Sequence, residues 1–181
     1  MLKVKRHNNR KSSLSITRQT GTFMVEFAIV GVFFAAALAF CSDAVLTIAT
    51  KGKLDRLVYS GVSLLKERTA LFDPNTLTVS AAEFNQLDSI MQSSLNRMIG
   101  DFEASKYGLR LETWDPVSGP VTTTGGALTC SANDPLTGDM SVMTSWGRRA
   151  SLYRLTACYK VPTWFDQGQS VIESAALMIG R

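Results

Sequence analysis

Every residue from Phe27 to Cys41 is apolar or glycine, and the run can be followed back to Phe23 with Glu26 as its single interruption. Those nineteen positions, wound at about 1.5 Å per residue, cover a hydrocarbon core of roughly 30 Å. The pattern therefore predicts a transmembrane helix over 22–50. Further along, Leu54, Leu57, Val58, Val62 and Leu65 recur at three- and four-residue spacing, while Lys51, Lys53, Asp55, Lys66, Glu67 and Arg68 fall mostly outside that stripe. This predicts a continuation of the helix over 51–72, packed on the chain's own domain and ended by Asp73-Pro74. Gly52 and Gly61 each weaken it by about 1 kcal/mol relative to alanine, which allows a bend.

Ser80-Ala-Ala-Glu83 has the form of a capping box, and Phe84, Leu87, Ile90, Met91, Leu95, Met98 and Ile99 follow on one helical face up to Gly100. Met91 and Met98 read as core fillers. Tyr107–Trp114 alternates Leu109, Leu111 and Thr113 with Arg110 and Glu112, the period of a strand. Leu152–Pro162 alternates again through Leu155, Ala157, Tyr159 and Val161. Residues 171–180 fit helix or strand, and a third strand closing a small antiparallel sheet is the preferred reading. Between them, 115–148 is rich in Pro, Gly, Asn, Asp and Thr and reads as loop. The expected fold is α+β. A long helix passes from the membrane into a small domain, 73–181, that holds a second helix and a short antiparallel sheet.

Charge divides the chain further. Six of the nineteen Lys and Arg (Lys3, Lys5, Arg6, Arg10, Lys11 and Arg18) precede residue 22, where no acidic residue lies. Nineteen less six leaves thirteen basic residues against fifteen acidic ones, so the net +4 is a +6 leader on a body of −2. A body of that balance gives no footprint for nucleic acid. The leader holds the cytoplasmic side, so the C-terminal domain is expected to be exported. The one histidine, His7, lies in the leader. The body thus lacks a Ser-His-Asp triad, a Cys-His dyad and a histidine zinc site. No GxxxxGK, HExxH, CxxC or GxGxxG motif occurs. No cofactor or metal is implied; only a Ser-Lys dyad is left open as catalytic chemistry.

Glu26 is costly where it stands, on the order of 2–3 kcal/mol at a bilayer centre and less near the edge. Its setting is specific: Gly21 is followed by Thr22, Phe23, Met24, Val25 and Glu26, with a basic stretch before and an apolar helix after. This constellation resembles the class III signal of type IV pilins and pseudopilins. The wider stretch, Arg18-Gln-Thr-Gly-Thr-Phe-Met-Val-Glu-Phe-Ala-Ile-Val, then Lys51-Gly-Lys-Leu-Asp-Arg-Leu-Val-Tyr-Ser-Gly-Val and Lys66-Glu-Arg-Thr, resembles the TadE/TadF group of tight adherence (Tad/Flp) pilus systems, TadF more than TadE. A weaker match surrounds Cys158 and the terminal Ile179-Gly-Arg.

The resemblance implies a leader, 1–21, removed by a membrane prepilin peptidase between Gly21 and Thr22. It implies an acid, Glu26, retained at mature position five. It implies a minor pseudopilin that works with TadE-like and other Tad assembly proteins, and with the major pilin in the fibre, serving adherence and biofilm formation. The anchor would be a single pass in the inner membrane with a periplasmic domain. The major subunit itself is far shorter and carries Glu-Tyr where this chain has Glu26-Phe27. Three blander readings are weaker. Ala37-Leu-Ala39 fits an A-x-A signal site, but the n-region would run 26 residues and end in a carboxylate. Leu38-Ala-Phe-Cys41 resembles a lipobox spoiled by Phe40. A generic anchor would make Gly21 and Glu26 accidental. The functional alternative is a single-pass, membrane-anchored sensor or ligand-binding module, with an uncleaved N-terminus and a ligand pocket.

Gly31, Ala35 and Ala39 recur at i, i+4 and i+8, a small-residue stripe of the kind that lets membrane helices approach closely. Cys130 and Cys158 both fall on the exported, oxidising side. A bond between them would close a loop of about 29 residues and contribute roughly 3–4 kcal/mol. Cys41, at the outer end of the span, reads as a small apolar residue. Asn133-Asp-Pro-Leu-Thr-Gly-Asp139 offers oxygen donors suited to calcium, with Asp134 and Asp139 as ligands, but without EF-hand spacing; a solvated turn is the preferred reading. Trp114, Trp146 and Trp164 read as core or half-buried residues.

Overall fold

The computed structural model describes residues 20–67, 78–131, 134–145, 147–163 and 170–180. The apolar run and the stripe beyond it form one helix, α1 (Thr20–Lys66, 47 residues). Neither Gly52 nor Gly61 interrupts it. Glu67 is already a turn, and 68–77, with the Asp73-Pro74 stop, lie outside the described residues. By its contacts the chain divides into two units, one ending at Leu38 and the other running from Ala39 to Arg181. The continuation of α1 belongs to the second unit.

Within the second unit, Leu54, Leu57, Val58, Val62 and Leu65 of α1 are all buried. The second helix, α2 (Ala81–Met98), starts on a complete capping box: the Ser80 backbone N–H donates to Glu83 Oε2 (2.6 Å) and the Glu83 N–H to Ser80 Oγ (3.3 Å). It buries Phe84, Leu87, Met91 and Leu95. Ile90 differs from its expected place and is 44% exposed. At 100° per residue it lies about 60° or more from the arc of the other four, on the flank of the apolar face. Met98 and Ile99 are half-buried against the core.

The sheet has four strands rather than three: β1 (Tyr107–Asp115), β2 (Gly119–Gly126), β3 (Leu152–Val161) and β4 (Ser170–Ile179), in the order β2-β1-β3-β4, every pair antiparallel. The segment 171–180 is strand, as preferred. β2 corrects the loop reading of 115–148. Its sequence, Gly-Pro-Val-Thr-Thr-Thr-Gly-Gly, has β-branched residues in the middle but no buried one. An edge strand exposed on both faces shows no apolar alternation. The turn before it is an Asx turn, in which Asp115 Oδ1 accepts from the N–H groups of Val117 (2.7 Å) and Ser118 (3.2 Å). Gly119 follows at φ 73°, a left-handed conformation that glycine adopts without penalty.

Tyr107, Leu109 and Leu111 of β1, Tyr153 to Val161 at alternate positions of β3, and Ile172 of β4 face the two helices and complete the core. The opposite face carries Arg110, Glu112, Trp114, Leu152, Arg154 and Cys158. It is covered by the described residues of 127–150, among which Cys130, Leu136 and Ala150 are buried. Cys130 and Cys158 are joined by a disulfide, Cα–Cα 5.5 Å. Gly108 lies beneath this cover; a Cβ there would stand 2.0 Å from the Leu128 carbonyl oxygen, so only glycine fits.

Both sheet edges are guarded. The bond from Gly180 N–H to Ser151 O (2.8 Å) sets the phase of β4, whose odd-numbered residues turn their backbone groups to the open side. There the Lys51 ammonium occupies the Glu173 carbonyl (3.2 Å). On β2, Pro120 stands on the open side, where a missing N–H costs no ladder bond.

Candidate functional site

The expected processing and assembly residues all lie on α1. Thr20 opens the helix, so the Gly21–Thr22 peptide sits in its first turn, where backbone N–H groups have no intrahelical acceptor. Gly21 is exposed, with nothing within 4 Å of where a Cβ would stand. Glu26 is exposed one turn further on. Beside it Met24, Val25, Ala28, Ile29 and Val32 line a shallow apolar depression. Gly31 and Ala35 are exposed and Ala39 is half-buried. Phe23, Phe27, Val32, Phe33 and Leu38 are each 67–71% exposed. Such a surface is unstable in water and calls for lipid or other helices around it. Among the described residues this is the one helix long and apolar enough to cross a membrane. Cys41 is exposed and unbonded.

The second unit holds two polar clusters that periodicity does not reveal. Beside α1 a cleft of about 270 Å³ is lined by Lys51, Asp55, Arg154, Glu173 and Ser174, among others. Its groups are largely occupied by one another: Lys51 on the Glu173 carbonyl, the Ser174 hydroxyl donating to Asp55 Oδ1, the Ser131 N–H to Glu173 Oε1 (2.8 Å), and Arg154 Nη2 to the Asp134 carbonyl. This fastens α1, the β4 edge and the disulfide-bonded loop together.

On the outer sheet face Glu112 lies between two guanidinium groups. Arg154 Nε donates to Oε2 at 2.6 Å and Arg110 Nη2 to Oε1 at 3.2 Å. Burial raises the Glu112 carboxyl, but the Arg154 hydrogen bond and the charges of Arg154 and Arg110 outweigh it and hold the group below the usual carboxylate range. Asp115 is likewise lowered, burial being outweighed by the Val117 and Ser118 bonds. Burial, with the Asp88 charge, raises the Tyr107 hydroxyl, which stays neutral. The alternation in the sequence places Arg110 and Glu112 on the strand face opposite Leu109 and Leu111 but does not bring them to Arg154. The one available signal was the opposite charge at Arg154, which needs the β1–β3 register to interpret.

The calcium reading finds no support: among the described residues no group of three or more His, Cys, Asp or Glu is placed to hold a metal ion. Asp134 spends its carbonyl on Arg154, Asp139 sits in a 3₁₀ turn, and Asn133 lies outside the described residues. Trp114 is half-buried, its ring against Gly138; Trp146 and Trp164 lie outside the described residues.

Residues 15–181 match a family model, TadF, described as "Putative tight adherence pilin protein F". No curated protein and no solved structure matches the chain.

Proposed function

We infer that this chain, which belongs to the TadF family of tight adherence pilin proteins, acts as a minor pseudopilin in assembly of a Tad/Flp, type IVb pilus. The observation that carries the reading is Glu26, five positions after Gly21 at the start of an exposed apolar helix, in a chain matched by this family over nearly its full length. In this reading the leader, 1–21, stays cytoplasmic and a prepilin peptidase cuts after Gly21. The first turn of a helix is its most easily opened part, because its N–H groups are not held from within. The chain is then a substrate and not an enzyme. α1 is a single-pass anchor in the inner membrane, and the disulfide-bonded unit is periplasmic.

Cleavage frees the Thr22 amine, and a cation there would offset the cost of Glu26 in lipid. Along one helix the two groups are separated by about 6 Å of rise, awkward for a pair within one subunit. A neighbouring subunit shifted along the axis brings its amine to Glu26 directly, and Gly31, Ala35 and Ala39 permit the close approach. TadE-like pseudopilins, other Tad assembly proteins and the major pilin are the partners this geometry would serve, with adherence and biofilm formation downstream.

Glu26→Gln tests the pairing, since it removes the charge and keeps the size. Insertion and folding should be unchanged, while co-purification with the TadE-like partner and the number of surface fibres should both fall. Unchanged fibres and unchanged co-purification would contradict the assembly role of Glu26.

A further inference from the structure

Before α1 buries its stripe from Leu54 onward, one side of it stays open. Val45, Leu46 and Ile48, all within the second unit, are 57–71% exposed. At about 100° per residue, Val45, Ala49 and Arg56 lie roughly 150° or more from the centre of the buried stripe, and Lys53 about 115° from it. Asp43, Lys51 and Asp55 lie within about 90° of that centre, on the domain side. From Ala39 to Gly52 the open side therefore carries no charge, and it continues the apolar run that ends at Cys41. The charges that follow are sorted around the helix. On the domain side Asp55 accepts from the Ser174 hydroxyl, and Lys51 donates to the Glu173 carbonyl. On the open side Lys53 and Arg56 have no hydrogen bond or ion pair among the described residues. They start about 7.5 and 12 Å of rise beyond Ile48. Helical side chains lean toward the N-terminus, so both long stems reach back toward the apolar residues before them. An uncharged apolar surface that runs on from a membrane span and ends in two free cations fits the boundary of a bilayer, where acyl chains give way to phosphates.

We propose that this side of α1 docks on the membrane surface, with Val45, Leu46 and Ile48 at the acyl–headgroup boundary and Lys53 and Arg56 on the phosphates of anionic phospholipids in the leaflet facing the second unit. The proposal rests on the reading of α1 as a single-pass anchor, and adds where the helix leaves the bilayer and which lipids it holds there. The full-length protein is reconstituted in vesicles of phosphatidylcholine with phosphatidylglycerol. A nitroxide is placed through Val32→Cys, Ala49→Cys or Tyr59→Cys in a Cys41→Ser background. Collisions with oxygen, which partitions into lipid, and with a water-soluble nickel chelate then report depth. The labels at 32 and 49 should favour oxygen and the label at 59 nickel. A label at 49 as open to nickel as that at 59 overturns the proposal and leaves the anchor intact, whereas nickel access at 32 contradicts the anchor itself. A label at 49 shielded from both reagents means that a second copy of the chain covers this side, which overturns the lipid assignment. Headgroup choice is read with spin-labelled lipids. The wild type should prefer phosphatidylglycerol over phosphatidylcholine by about twofold or more, and Lys53→Gln/Arg56→Gln should lose most of the difference with an unchanged circular dichroism spectrum. The leader's cations are common to both proteins, so they cancel in the comparison. Equal preference in the two proteins overturns the role of Lys53 and Arg56, and the depth measurement decides the docking even if the double variant fails to fold.

Discussion

At Glu112 burial and charge act against each other, and charge prevails. With 4% of its surface exposed, the carboxylate is stable only because Arg154 and Arg110 both donate to it. Removing one partner leaves an under-compensated buried charge. Arg154→Ala should therefore destabilise the second unit by about 3–5 kcal/mol, read from urea unfolding midpoints. Acid acts on the same cluster. The folded carboxyl titrates below its unfolded value, so the stabilisation is complete above the unfolded value of about 4.3 and is lost as pH falls through the lower folded one. The wild type should lose more stability than Glu112→Gln between pH 5 and 3, with unfolding midpoints at each pH as the measurement. Parallel losses in the two proteins would mean that Glu112 is not the group responsible. Asp115 adds to acid sensitivity with the same sign in both proteins, so the comparison removes it.

The long helix carries two glycines that its periodicity treats alike and the packing does not. A Cβ at Gly61 would stand 2.7 Å from Leu155 Cδ2 and 2.8 Å from Met91 Sδ, whereas Gly52 faces open space. Gly61 is where the helix comes close to the sheet and to α2, so it marks a contact. Gly52→Ala should stabilise by up to about 1 kcal/mol through helix propensity. Gly61→Val should destabilise by about 1–3 kcal/mol or more through overpacking. Thermal unfolding of the two variants should shift in opposite directions.

The disulfide between β3 and the covering loop belongs to the same scale. Cys130→Ser or Cys158→Ser should cost about 2–5 kcal/mol and lower the steady-state amount of protein, measurable by immunoblot of membrane fractions. The loop it holds also carries Ser131, whose N–H binds Glu173 on the β4 edge. Loss of the bond should therefore loosen α1 around Lys51 as well, seen as faster amide exchange there.

Across the whole molecule, the legible parts were those with a strong period or a local chemical signature. The stripe from Leu54 to Leu65, the Ser80–Glu83 capping box and the alternation of β1 and β3 all depend on residues close in sequence. β2 was not legible, because a strand exposed on both faces has no apolar period. The Arg110–Glu112–Arg154 cluster was not legible either, because it exists only once β1 and β3 are set in register. Gly61 and Gly108 read as generic glycines until their tertiary neighbours are known. The proposed processing segment, Gly21 to Glu26, can be read from the sequence alone because its pattern is linear: a small residue, then an acid at a fixed distance in an apolar helix. That linearity also makes the central claim simple to test. The full chain is produced in cells that carry the system's own prepilin peptidase, and the intact mass of the protein from their membranes is measured. The pseudopilin account predicts a protein that has lost residues 1–21 and begins at Thr22. A protein that still carries the segment from Met1 to Gly21 would contradict it.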